Sequence, residues 1–213
     1  MPPTPIRAVL FDFAGVITVP MGPTVKQLAL DSGADVHEVA DFMFGDYGGT
    51  GDSPWHQLER GEISLADFGR WGHTEGAARG WNLDLIAFLD QLIACELRED
   101  IVERVGRLRM DGYRTLLLTN NIREYSSQWR AKLPVDDLFE VIVDSSEVGM
   151  RKPEPRIFQL ALDKLGVAPE EAVMLDDIAV NVDAARALGM HAIQVGPRAE
   201  LALAELDELL ARN

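Results

Sequence analysis

The chain has 213 residues, of which 47% are hydrophobic and 26% charged, and a formal charge of −15. That composition belongs to a globular protein long enough to bury a sizeable core. So acidic a balance disfavours a nucleic-acid backbone or an anionic membrane as the main partner, yet allows a small anionic substrate wherever local cations or a metal set the potential.

The single cysteine, Cys95, excludes an intrachain disulfide, and its neighbours Leu92, Ile93 and Ala94 suit a buried structural thiol. Pro2, Pro3 and Pro5 with only Arg7 basic make no signal-peptide pattern. No apolar run approaches membrane-spanning length. A cytoplasmic protein is the expectation.

The first predicted strand covers residues 6–11, an apolar run that carries straight into Asp12 and reaches Gly15, whose freedom permits an abrupt turn. From Met21 the texture becomes helical and broken, with helices expected at 24–30, 35–44, 54–59, 65–71 and 83–92. Ser64 with Asp67 has the spacing of a capping box. Gly45, Gly48, Gly49 and Gly51 mark a loop, and Trp71, Trp81 and Phe88 are candidates for a small local core. His37, His56 and His73 are too dispersed for a zinc cluster. Arg79, Trp81 and Asn82 are candidates for a cleft beside the main body.

Near Asp100 the texture changes again. Ile101, Val102, Val105 and Leu108 recur at helical spacing up to Gly112. Strands are expected at 115–119, 139–143, 172–175 and 191–195, and helices around Tyr125 and Trp129 and at 156–165, 181–188 and 201–210. Strands alternating with helices predict an α/β fold, a Rossmann-like parallel sheet covered on both faces. The helical stretch after the first strand reads as an insertion. The expected division is therefore a core of residues 1–17 and 97–213 with a small helical cap of residues 18–96.

In such a sheet the site lies at the carboxyl ends of the strands. Three predicted strands end there in polar groups: Asp12, then Thr119 and Asn120, then Asp176 and Asp177, with Lys152 in a loop before a helix. Converging carboxylates repel unless a cation or proton intervenes, and Mg²⁺ with oxygen ligands is the economical answer. Lys152 supplies a compact positive charge and Thr119 a hydroxyl for an anionic group.

The four stretches 10–16, 118–120, 152–153 and 175–177 with Asn181 resemble the ordered motifs of the haloacid dehalogenase superfamily. The stretch 174–186 is similar to the phosphatase-like domain of soluble epoxide hydrolases. The resemblance spans nearly the whole chain and includes the position of a small cap. It implies Asp12 as a nucleophile that becomes phosphorylated. Mg²⁺ would be held by Asp12, the Ala14 carbonyl and Asp177. Thr119 and the Asn120 amide would bind phosphoryl oxygens, Lys152 would offset charge, and Asp176 would support it. A small phosphorylated metabolite is the implied substrate, with neither nucleic acid nor membrane as partner; the sequence leaves the oligomeric state undetermined.

One position departs from the pattern. Phosphatases of this family carry a second aspartate two residues after the nucleophile, where this chain has Ala14, whose methyl group can neither protonate a leaving group nor activate water. General acid–base catalysis contributes about 10²–10⁴-fold. A carbon–halogen hydrolase, which needs no leaving-group proton, and a binding or regulatory relative are the alternative readings.

Overall fold

The computed structural model describes residues 4–45 and 52–212. Five strands form one sheet: β1 (Ala8–Phe11), β2 (Arg114–Thr119), β3 (Val141–Asp144), β4 (Ala172–Asp176) and β5 (His191–Gln194). All pairings are parallel, in the order β3-β2-β1-β4-β5. The pleat sends alternate residues to opposite faces. Val9, Phe11, Leu117, Val173 and Leu175 therefore enter one apolar layer, while Ala8, Leu10, Leu116, Leu118 and Met174 enter another. Helices α6 (Glu99–Met110) and α12 (Ala199–Leu210) cover the first face, and α10 (Pro155–Leu165) and α11 (Ala179–Ala187) cover the second. Burial on both faces explains why these strands read as continuous apolar runs.

Between β1 and α6 lie α1 (Gly22–Ser32), α2 (Val36–Phe44), α3 (Pro54–Glu59), α4 (Leu65–Ala78) and α5 (Leu85–Ala94). They pack on their own apolar cluster, which includes Met43, Trp55, Leu58, Phe68, Phe88 and Leu89 and draws in Ile122 and Tyr125 from the loop after β2. The segments entering and leaving this region run side by side. Thr18 bridges Leu97, the Val19 amide donates to Glu96 O (3.1 Å), and the Arg98 amide donates to Ile17 O (2.8 Å). Ser64 and Asp67 form the expected capping box at the start of α4. No described helix is long and apolar enough to cross a membrane.

Several local expectations shift. β3 starts at Val141 rather than Phe139, because Phe139 leaves the ladder to meet Phe11 edge-on, with ring centroids 6.3 Å apart. The helix around Tyr125 and Trp129 divides into a 3-10 turn (Arg123–Tyr125) and the short α7 (Ser126–Arg130). Cys95 is half-buried rather than buried, since it caps the end of α5 beside Lys132, which donates to its carbonyl (2.6 Å). Phe88 is buried in the helical cluster, with Trp71 and Trp81 packed against its edge. Gly48, Gly49 and Gly51 of the expected loop lie outside the described residues.

Candidate active site

The parallel register brings the polar strand ends to one edge. Asp12 follows Phe11, and its amide donates to Leu175 O (2.9 Å), so it stands level with the end of β4. Thr119 closes β2 and Asp176 closes β4. After Asp12 the chain makes a wide turn, in which Gly15 has φ +79° and the Thr18 amide donates back to Phe13 O (3.0 Å). A Cβ on Gly15 would lie 2.2 Å from Asp177 Oδ2. Glycine is thus required twice there, for the backbone angle and for the approach of the carboxylate.

Lys152 reaches this edge from below. It is fully buried, and its ammonium donates to Asp12 Oδ1 at 2.8 Å and Asp176 Oδ2 at 2.7 Å. Its backbone is clamped on both sides by Asn120. The Lys152 amide donates to Asn120 Oδ1 (2.8 Å), and Asn120 Nδ2 donates to the Lys152 carbonyl (2.9 Å). Asp176 is also fully engaged: Oδ1 accepts from the Ile178 amide (2.9 Å) and from Asn181 Nδ2 (3.0 Å). A lysine held so firmly is a fixed charge rather than a mobile one.

One ammonium faces three carboxylates. Burial is the largest influence on Asp12 and pushes its carboxyl up to about 8; Lys152 opposes this, while Asp176 and Asp177 add to it. Burial and then Asp176 push Asp177 up to about 7. Burial disfavours the Lys152 charge, but Asp12 and Asp176 outweigh it and hold the ammonium above its ordinary range. The negative excess therefore rests on Asp12 and Asp177. An oxygen from each of Asp12, Asp176 and Asp177 lies within 4.8 Å of the others, a donor set that suits a hard divalent cation. With Asp176 committed to Lys152 and Asn181, Asp12 and Asp177 fit as the protein's charged ligands.

Above these groups is a cavity of about 270 Å³. Asp12, Ala14, Asn120 and Asp177 border it on the sheet side, and Phe44, Trp55, Leu89, Leu92, Ile93 and Tyr125 form much of its wall. Of the residues singled out from sequence, Thr119, Lys152 and Asp176 lie beneath this surface rather than on it. The Thr119 hydroxyl is 3.5 Å from Asn120 O. Arg79, Trp81 and Asn82 do not border the cavity. Arg79 lies over the Phe42 ring (4.8 Å) and the Trp81 ring (5.9 Å), and Asn82 borders a different cavity with Ser32 and Asp84. His37 and His73 are exposed and His56 is buried, and none belongs to the acidic cluster.

A buried ion pair at the cavity was not legible in the sequence. Glu59, at the end of α3, borders the cavity and accepts from Arg151 Nε at 2.5 Å; both side chains are 3% exposed. Ser145 Oγ donates to Glu59 O (2.6 Å) and accepts from the Asn121 amide (2.9 Å). Burial pushes the Glu59 carboxyl up against the pull of Arg151. The one available signal was that Arg151 adjoins Lys152. Its partner is 92 residues away, beyond any local pattern.

The sequence profile of the haloacid dehalogenase-like hydrolases matches residues 6–189. Acyl-CoA dehydrogenase family member 10 of Mus musculus is 33% identical over 96% of this chain and 19% of its own length. Bifunctional epoxide hydrolase 2 of Rattus norvegicus is 28% identical over 96% of this chain and 39% of its own. The chain thus spans well under half of either relative. Glyceraldehyde 3-phosphate phosphatase of Pyrococcus furiosus is 37% identical over 46% of this chain and 42% of its own. Among solved structures, a HAD-like family hydrolase from Porphyromonas gingivalis superposes with TM-score 0.72 at 24% identity, covering 97% of this chain and 98% of that one. A HAD family enzyme from Bacteroides thetaiotaomicron, in complex with magnesium and inorganic phosphate, gives 0.59 at 23% identity, covering 90% and 95%. The sheet order, the strand-end carboxylates and a profile match over most of the sequence lead to one conclusion: the chain belongs to the haloacid dehalogenase-like hydrolases.

Proposed function

We propose that the chain is a Mg²⁺-dependent phosphatase that acts on a small phosphorylated metabolite through covalent phosphorylation of Asp12. The observation that carries this reading is the Asp12 carboxylate at the edge of a cavity, pinned by Lys152 at 2.8 Å and crowded by two further carboxylates. A carboxylate attacks a phosphoryl group only where the charge on both is offset. Support also comes from the phosphatase relative in Pyrococcus and from the Bacteroides fold neighbour that holds magnesium and phosphate.

In this reading an Asp12 oxygen attacks phosphorus as the bond to the leaving oxygen breaks, giving an aspartyl-phosphate and an alcohol. Water then cleaves the acyl phosphate, releasing phosphate and restoring Asp12. Asp12, the Ala14 carbonyl and Asp177 would hold Mg²⁺, which when bound offsets phosphoryl charge. Lys152 offsets charge on Asp12 and aims it. Asp176 fixes Lys152 in turn, the Asn120 amide receives phosphoryl oxygens, and Thr119, named with it from the sequence as a phosphate ligand, supports that loop from beneath the cavity surface. Residues 18–96 act as the cap that excludes bulk water. Because Ala14 provides no acid, the departing oxygen takes its proton from solvent, and the rate should fall steeply as leaving-group pKa rises.

The test is phosphate release from a panel of sugar phosphates, nucleotides, acyl phosphates and aryl phosphates, with and without Mg²⁺, alongside halide release from 2-haloacids. The expected result is Mg²⁺-dependent phosphate release that is lost in Asp12→Asn, with aryl and acyl phosphates ahead of alkyl esters. Metal-independent halide release without phosphate release would contradict it. A flat leaving-group dependence, with chemistry rate-limiting, would mean that another group supplies the proton.

A further inference from the structure

Among the described residues, every charged side chain that borders the cavity is acidic. These are Asp12, Asp177 and Glu59, and no described Lys, Arg or His borders it. Residues 46–51 contain no Lys, Arg or His in the sequence. The buried cations near the site are already committed: Lys152 lies beneath the edge against Asp12 and Asp176, Arg151 is buried against Glu59, and Arg98, whose charge acts on Asp177, donates to Gly196 O. Apart from these acids the cavity is bounded mainly by Phe44, Trp55, Leu89, Leu92 and Ile93, and Glu59 borders it with its carboxylate held by Arg151.

An ester whose leaving group carried a second negative charge would lose its hydration there, find no positive partner, and approach Glu59. From this geometry we infer that Glu59 is a specificity-determining residue, restricting the site to phosphomonoesters whose leaving group has an apolar body and no second anionic group. This rests on the phosphatase reading above and adds to it what the cap selects. Glu59 acts from the cavity wall and takes no part in the chemistry at phosphorus. Arg151 holds the carboxylate in place from the loop that carries Lys152.

The test compares two aryl phosphates of near-equal size, 4-carbamoylphenyl and 4-carboxyphenyl phosphate, in Mg²⁺. The wild-type protein is expected to favour the neutral ester by at least about tenfold in kcat/KM, carried mainly in KM. Glu59→Gln removes the repelling charge and leaves Arg151 positive, so the ratio should fall below about threefold. Glu59→Asp, which keeps the charge, should retain it. Thermal unfolding checks that each variant folds. If E59Q is too unstable to assay, E59Q/R151M removes both buried charges and should narrow the ratio by a smaller step. Equal use of the two esters by the wild type, or an unchanged ratio in a folded E59Q or double variant, overturns the inference.

If neither ester turns over, the phosphatase reading falls while the selectivity is still measured. Calorimetry with 4-carbamoylbenzyl- and 4-carboxybenzylphosphonate in Mg²⁺ should show about tenfold tighter binding of the neutral compound. Equal affinities, or binding of neither, would overturn the inference.

Discussion

The sheet edge and the helical segment face each other across one cavity but hold their side chains by different forces. At the edge, Lys152, Asp12 and Asp176 are buried charges that fix one another through contacts of 2.7–2.8 Å. In the helical segment, Trp55, Phe68, Met43 and Leu89 are held by apolar packing, with Phe44 and Trp55 edge-on at 4.8 Å. Buried charges tolerate little rearrangement, because losing one partner strands the other. An apolar wall changes shape with modest loss as long as its volume is kept. The edge is therefore suited to fixed chemistry and the wall to selecting the substrate. Glu59–Arg151 is the exception, a buried charge pair that ties the wall to the loop of Lys152.

The largest expected effect comes from the edge. Asp12→Asn should lower phosphate release by on the order of 10⁴-fold or more, since it removes the attacking oxygen rather than an accessory. Steady-state assays at saturating Mg²⁺ check this. An equally large loss from a single wall substitution such as Leu89→Ala would erase the contrast between the two regions.

Next, Lys152→Met should destabilise the fold by about 3–5 kcal/mol at neutral pH, because Asp12 and Asp176 are left without their cation. The deficit should shrink as pH falls and the carboxylates take up protons. Denaturant unfolding of wild type and variant at pH 5 and pH 8 reads the difference. A constant deficit would mean that Lys152 serves packing rather than charge.

A third effect concerns pH and metal. The folded-state carboxyls of Asp12 and Asp177, pushed to about 8 and about 7, hold protons that the unfolded chain releases near its ordinary value of 3.8. Their contribution to stability is therefore greatest at low pH and declines as pH rises from about 4 to about 8. Asp177→Asn should raise the metal-free Tm at pH 8 more than at pH 5. Mg²⁺ at a hundredfold excess over Kd should stabilise the wild type by about 2.7 kcal/mol and the variant much less. Melting curves at both pH values, with and without Mg²⁺, test both statements.

These regions also differ in how legible they were in the sequence. Asp12, Thr119 and Asp176 were readable because each ends an apolar strand, and parallel pairing places such ends together. The helical character of the inserted stretch was readable from its Gly and Pro breaks and the Ser64 cap. Which of its side chains border the cavity was not. Trp55, Leu89 and Ile93 look like any apolar helix residues, and only tertiary packing separates Trp55 on the wall from Trp81 stacked away beneath Arg79. Glu59 was hidden for the same reason, since a carboxylate in a short polar helix ordinarily faces water. The depth of Thr119 and Lys152 below the cavity surface was equally beyond a strand-end argument.

The smallest effect probes the contact between the regions. Tyr125 donates its hydroxyl to Asp90 of α5 at 2.6 Å, tying the loop after β2 to the helical segment. Tyr125→Phe should cost about 1 kcal/mol and alter KM more than kcat.

The central claim is that Asp12 is covalently phosphorylated. Rapid acid quench of the enzyme with an aryl phosphate carrying radiolabelled phosphorus, in Mg²⁺, should trap label on the protein that hydroxylamine releases. Peptide mapping should place that label on Asp12, and Asp12→Asn should carry none. Label on another residue, or steady turnover by Asp12→Asn, would contradict the account.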